Sequence, residues 1–133
     1  MRTILSCLVL LFGFSMVGSA QSSSAIALHK GIKVMPEFPG GTAALQKYLG
    51  NEIRYPAYAR EAEIEGKLII AFVVTRQGTV TNARIIKGKE LGHGLPEEAL
   101  RVIKKMPVWR PALNTKNKPA PFLYFQEVTF RLQ

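Results

Sequence analysis

Few side chains in this sequence could carry out catalysis. All nine acidic residues are glutamate, and the lack of aspartate excludes Ser-His-Asp triads, aspartate-rich calcium loops and aspartate-based phosphoryl transfer. The two histidines, His29 and His93, do not form a three-histidine or HExxH zinc pattern. An enzyme such as a small hydrolase is therefore disfavoured, and we expect no catalytic residue, cofactor or metal ion.

The other residues that could serve a catalytic or binding role are better explained by a role in the fold. Glu97 and Glu98 are adjacent, so they point in different directions on a helix and make a poor acid–base pair. The pair Gly40-Gly41 lacks the Lys-Ser/Thr of a phosphate-binding loop and is predicted to form a turn. Tyr55 and Trp109 could contact a partner, but we expect them to pack in the core.

The first twenty residues have the features of a secretory signal peptide. Arg2 precedes an apolar run at 4–14, and the small residues Gly18, Ser19 and Ala20 provide a cleavage site. Cleavage after Ala20 would leave 113 of the 133 residues, which suits one small domain. The only cysteine, Cys7, would leave with this segment, so the mature chain would have no disulfide or thiol.

This pattern predicts three parts: a signal peptide at 1–20, a flexible lead-in at 21–31 and one domain at 32–133. The expected location is the periplasm. The alternative is an uncleaved form that is anchored in the inner membrane and faces the periplasm. Contact with a membrane is expected at most through this leader.

Basic residues outnumber acidic ones along the chain. Without Arg2, 17 basic residues face 9 acidic ones, a formal net charge of +8. Such an excess favours anionic partners such as lipopolysaccharide, an acidic membrane or an acidic protein segment, although a solvated surface that keeps the protein soluble explains it equally well. Export, and the lack of a basic stretch interleaved with aromatics, disfavour nucleic acid.

Hydrophobic periodicity and turn residues divide the mature chain into short elements. The run at 67–75 is apolar on both faces, which is typical of a central strand. A three-residue loop with Gly78 at positive φ should follow it, and the returning strand needs a bulge near Thr81-Asn82. The predicted elements are an extended segment at 32–38, helices at 42–50, 55–66 and 95–106, and strands at 67–75, 79–87 and 121–132. Helices on one face of a three-stranded antiparallel sheet give an α+β fold of two layers.

Five stretches of sequence, in this order, resemble a known family. They are PEFPGG at 36–41, YPAYAREAEIEGK at 55–67, FVVTRQGTV at 72–80, EEALRVIKKMPVWRPA at 97–112 and VTFRL at 128–132. Together they resemble the carboxy-terminal domain of TonB, the periplasmic energy transducer of Gram-negative bacteria. The resemblance covers most of the mature chain.

The resemblance implies a TonB/TolA carboxy-terminal-type fold with strand order second-first-third and the last strand on an edge. In that family an edge strand captures the TonB box, a short extended segment of an outer-membrane receptor, by strand addition. The implied function is receptor binding that contributes to energy-coupled transport. The implied binding residues are Tyr124, Phe125, Gln126, Glu127, Val128, Thr129 and Arg131.

Two departures from the family pattern bear on this function. The chain shows neither a convincing membrane anchor nor the Pro-rich spacer of full transducers, so we expect it not to carry force between the membranes by itself. The alternative is a module with no energy transduction of its own. It could be a free-standing adaptor, a competitor for receptor boxes, a dimerisation module that pairs with itself or with a full-length TonB, or a charge-driven binder of the cell envelope. Gln126-Glu127 stands where many relatives have an apolar residue followed by proline, so an amide donor is restored in mid-strand.

Overall fold

The computed structural model describes residues 3–6 and 30–132, so most of the predicted leader and lead-in, residues 7–29, lies outside the described part. The fold is α+β, as predicted. Its strands are β1 Thr3–Ser6, β2 Ile32–Val34, β3 Gly66–Val74, β4 Val80–Lys87, β5 Ala112–Asn114, β6 Pro119–Ala120 and β7 Phe122–Leu132. Its helices are α1 Thr42–Glu52, α2 Ala57–Glu61 and α3 Leu95–Lys104, with a 3-10 turn at Lys89–Leu91.

The strands form two antiparallel sheets. The main sheet has the order β1-β7-β3-β4, and a smaller sheet has the order β2-β5-β6. The main sheet therefore has one strand more than the predicted three, because β1 pairs with β7 over residues 129–132. The predicted order second-first-third leaves out β1 and is not confirmed for the whole sheet.

The core lies between the helices and one face of the main sheet. The sheet contributes the even-numbered residues Leu68, Ile70, Phe72, Val74, Phe122, Tyr124, Val128 and Phe130. The helices contribute Leu45, Leu49, Ala99, Val102 and Ile103. A smaller apolar cluster, Ala71 and Leu123 with Val73 and Phe125, lies on the opposite face. The prediction that β3 is central and apolar on both faces is confirmed.

Two aromatic residues hold the core together, as the sequence predicts. Trp109 is 2% exposed, and its ring centroid lies 5.7 Å from that of Phe72 and 5.0 Å from that of Tyr124. Tyr55 packs edge-on against Phe130 at 5.4 Å, and its hydroxyl donates to the main-chain oxygen of Ile64. Neither residue is available as an exposed contact for a partner.

The helix ends differ from the predicted ones for local reasons. Helix α1 continues through Gly50 to Glu52, because Gly50 keeps the helical path and does not adopt positive φ. Helix α2 ends at Glu61, since Glu63 takes a φ of 55° and breaks the helical path well before Gly66. Among residues 3–6 and 30–132, no helix is both long and apolar enough to span a membrane.

The β3–β4 hairpin has the predicted irregularities. Gly78 has a φ of 84°, and the register shifts where Ala71 pairs with Arg84 and Val73 with Thr81. Asn82 adopts a φ of 55° at this bulge. Both the turn and the bulge are confirmed.

Candidate protein-binding strand

The direction of the main-chain groups decides which residues of β7 can bond to another strand. In an antiparallel strand the N–H and C=O of one residue point to the same side, and neighbouring residues alternate. Thr75 N donates to Thr79 O at 2.9 Å, so odd-numbered residues of β3 point toward β4 and even-numbered ones toward β7. The register partners of even-numbered β3 residues are also even-numbered, for example Ile70 with Gln126.

A second contact gives the same assignment from the other end of β7. Leu132 N donates to Oε1 of Glu65 at 2.8 Å, and Glu65 directly precedes β3. Even-numbered residues of β7 therefore point toward β3, and odd-numbered residues point to the outer side. Gln126 Nε2 donates to Glu127 O at 2.9 Å, which agrees with an outward direction for Glu127.

The predicted binding residues consequently fall into two groups. Tyr124, Gln126 and Val128 direct their main-chain groups toward β3, and their side chains are buried. Phe125, Glu127, Thr129 and Arg131 direct their main-chain groups to the outer side of β7. Only this second group has the orientation that a newly added strand requires.

Leu123 was not among the predicted residues, although it belongs to the outward group. It lies in β7 and pairs with Val73 of β3, so it follows the same alternation as Phe125 and Glu127. The alternation of a strand, followed from Glu127 through Phe125 in steps of two, would have identified Leu123. The prediction instead took a continuous segment and did not separate its two sides.

The outer side of β7 has a paired strand at residues 129–132. β1 pairs antiparallel with it in the register Thr3↔Leu132 to Ser6↔Thr129. Over 129–132 the last strand is therefore not the edge of the sheet, contrary to the expectation from the resemblance. The arrangement also means that this side of β7 accepts an extended segment.

The electrostatics around β7 are mild. Glu127 is 9% exposed, and its Oε1 lies 3.9 Å from Nζ of the exposed Lys67, a separation at which an ion pair contributes little. Burial raises the pKa of Tyr124 to about 12, so its phenol is neutral at physiological pH. Around β7, main-chain groups are therefore a more prominent feature than charge.

The hydrogen bonds of Glu98 and His93, two residues considered for catalysis, indicate a role in the fold. Glu98 accepts hydrogen bonds from Arg54 N at 2.6 Å and from Arg101 Nε at 2.7 Å. Burial opposes its ionisation, but these hydrogen bonds prevail and lower its pKa. His93 is exposed, with Nδ1 3.0 Å from Leu91 O. In the described part of the chain, no three His, Cys, Asp or Glu side chains are grouped to hold a metal ion.

Comparison with known proteins assigns the family. The model of the family described as Gram-negative bacterial TonB protein C-terminal matches residues 51–132, which include β3, β4, α3 and β7. No match is found among curated proteins. The match spans more than half of the 133 residues and contains the whole of the strand analysed above. The chain therefore belongs to the family of Gram-negative bacterial TonB protein C-terminal domains.

Proposed function

We propose that the protein is a periplasmic, non-enzymatic module that binds an extended segment of a partner along the outer side of β7. Its family is a TonB-type periplasmic, transport-related domain family. The observation that carries the proposal is the pairing of Thr3–Ser6 with this side of β7. The added strand is antiparallel, and four register pairs join it to residues 129–132.

The partner that we propose is the TonB box or another periplasmic segment of an outer-membrane receptor. Main-chain groups of Phe125, Glu127 and Thr129 would bond to it, each bond contributing about 0.5–1.5 kcal/mol net. The side chains of the same residues lie on the sheet face opposite the helices, where they would contact alternate side chains of the partner. Binding of this kind would contribute to energy-coupled transport.

Processing would control part of this site. β1 lies within the predicted signal peptide, so cleavage after Ala20 would remove it and leave the outer side of residues 129–132 to the partner. The mature protein should therefore bind an extended segment more tightly than a form that retains residues 1–20.

The proposal is tested by calorimetric titration of the processed protein with a receptor-derived extended peptide. The control is the same peptide with proline at alternate positions, because proline lacks the N–H that strand addition needs. We expect saturable binding of the first peptide and loss of binding for the second. Equal affinities for the two peptides would contradict strand addition.

A second copy of the chain, or a full-length TonB, is the alternative partner. The same outer side of β7 that pairs with β1 could pair with β7 of another protomer. Sedimentation of the processed protein would then show a dimer, which the receptor peptide dissociates. A monomer at all accessible concentrations would exclude the homodimer.

A further inference from the structure

Basic residues are concentrated at one end of the domain. The segments 30–38, 75–80 and 107–122 together contain six basic residues and one acidic residue, Glu37. Glu37 is engaged by Arg110 through a side-chain ion pair. The five other basic residues of these segments are Lys30, Lys33, Arg76, Lys116 and Lys118. We call this set, with the segments that carry it, the basic end.

The topology brings these segments together. β3 ends at Val74, which pairs with Phe122 at the start of β7, so the loop after β3 and the hairpin before β7 lie beyond the same end of the sheet. Trp109 N donates to Gly78 O at 2.8 Å, which joins the first of these segments to the third. β2 pairs with β5, with Ile32 opposite Asn114.

Hydrogen bonds order the hairpin that carries Lys116 and Lys118 and join the Lys33 side chain to it. Asn114 Oδ1 accepts from the main-chain N of Lys116 at 2.9 Å and of Lys118 at 3.0 Å. Lys33 Nζ donates to Asn117 Oδ1 at 3.0 Å. These charges therefore lie on an ordered hairpin, so little conformational entropy of the hairpin is lost when it binds.

Two large apolar side chains are exposed among these charges. Met35 is 41% exposed and Val108 is 58% exposed. The main-chain bonds between Glu37 and Arg110, at 3.0 and 2.9 Å, join the segment that carries Met35 to the segment that carries Val108. Exposed apolar side chains on a basic surface are the pattern of surfaces that bind at the interface of an anionic bilayer.

The other end of the sheet lacks this pattern. Around the start of β3, the end of β4 and the end of β7, the segments 60–67, 87–91 and 129–132 contain four glutamates and five basic residues. The charges there nearly balance, so an anionic surface attracts this end less than the basic end. A bilayer would therefore orient the domain with the basic end toward it.

We infer that the basic end docks on the anionic phospholipid headgroups of a membrane that borders the periplasm. The lysines contact the phosphates, and Met35 and Val108 enter the headgroup layer. A soluble anion would use the charges but not the apolar side chains, which is why the bilayer is favoured. This surface is separate from the outer side of β7, and docking places the Phe122 end of that strand nearest the membrane.

The first test locates the contact. Fluorescent labels are attached to the full chain at T115C, in the basic end, and at Y58C, on α2, each in a C7S background. With phosphatidylglycerol vesicles that carry a headgroup quencher, the label at 115 should be quenched and the label at 58 should keep its intensity. Equal quenching of the two labels, or quenching by neutral phosphatidylcholine vesicles, would overturn the inference.

The second test separates the patch from the overall charge. K116Q/K118Q should weaken vesicle binding about 25-fold, since each basic residue at an anionic surface contributes about 1 kcal/mol, or about fivefold. K47Q/K104Q removes the same charge from the helices and should change binding less than about threefold. Association through the apolar leader does not depend on either pair.

Four outcomes would overturn the inference. Equal losses for the two double variants would show attraction by net charge alone. Full competition by millimolar inorganic phosphate would show a site for free anions, and binding restricted to lipopolysaccharide would show a different lipid. Retention of salt-sensitive phosphatidylglycerol binding by M35S/V108S at the wild-type level would exclude the apolar contact.

Discussion

The main chains of Gly78 and Trp109 lie against each other where the β3–β4 loop meets the segment before β5. Trp109 N donates to Gly78 O at 2.8 Å, and a Cβ added to Gly78 would lie 1.9 Å from Trp109 O. The φ of 84° at Gly78 is one that residues with side chains rarely adopt. Through this contact the hairpin loop positions Trp109, whose ring packs on Tyr124 of β7.

Gly78→Ala should therefore destabilise the fold by at least about 2 kcal/mol, because it adds the cost of a left-handed residue to a clash with main-chain oxygen. The measurement is the free energy of unfolding in urea. Gly50→Ala is the control, since that position in α1 has open space around a Cβ. It should be neutral or stabilising by up to about 1 kcal/mol. Similar losses for the two variants would contradict this account of the loop.

Glu98 joins α3 to the segment after α1 through its hydrogen bond with Arg54 N. Replacing its carboxylate should therefore make the free energy of unfolding less dependent on pH in the acid range. Its pKa is lowered from 4.5 in the folded state, so its contribution to stability is present above pH 4.5 and is lost as the pH falls through the folded value. Glu98→Gln should cost about 1 kcal/mol at neutral pH and flatten the acid limb of the unfolding curve. Glu97→Gln, which removes an exposed carboxylate from the same turn of α3, is the control. An unaltered limb in Glu98→Gln would contradict the assignment.

Tyr124 should make the folded protein sensitive to alkali. Burial holds its pKa at about 12, whereas a tyrosine in an unfolded chain ionises near pH 10. The raised value means that its contribution to stability is complete below about pH 10 and is lost as the pH rises toward about 12. Tyr124→Phe should lose less stability over that interval than wild type. Identical slopes of unfolding free energy against pH would show that the phenol titrates freely.

Glu127→Pro should weaken binding of an extended peptide by about 0.5–1.5 kcal/mol, the net contribution of one hydrogen bond. The N–H of Glu127 points to the outer side of β7, so proline removes a donor for the partner without removing one for β3. Glu127→Gln keeps the N–H and loses only the pair with Lys67, which is 3.9 Å long, and should bind like wild type. Calorimetric titration measures both. Equal weakening in the two variants would assign the effect to charge.

The long elements of this fold were predictable because their patterns are long. The seven apolar residues at 68–74 of β3 indicated a strand that is apolar on both faces, and the sheet has an apolar cluster on each face. Helix α3 begins at Leu95, as its proline and glutamates indicated. The smaller sheet was missed, because β5 has three residues and β6 two, too few to show a period of two.

The sequence predicted that the site is a strand, but not which of its residues direct their main-chain groups to the outer side. Its residues came from the family resemblance, and the alternation that separates Glu127 from Gln126 became visible only through the hydrogen bonds of Thr75 and Leu132. The pairing of β1 with β7 joins residues 123 to 129 positions apart, from Ser6 with Thr129 to Thr3 with Leu132. No local pattern in the sequence specifies a contact of that separation.

The most direct test of the account is a titration of isotope-labelled mature protein with a receptor-derived extended peptide, monitored by backbone amide shifts. Strand addition on the outer side of β7 predicts the largest shifts and the strongest protection from hydrogen exchange at Phe125, Glu127 and Thr129. The alternating residues Gln126 and Val128, whose amides already face β3, should change less. Shifts confined to the turn at Gly40-Gly41 or to α3, with β7 unchanged, would contradict the central claim.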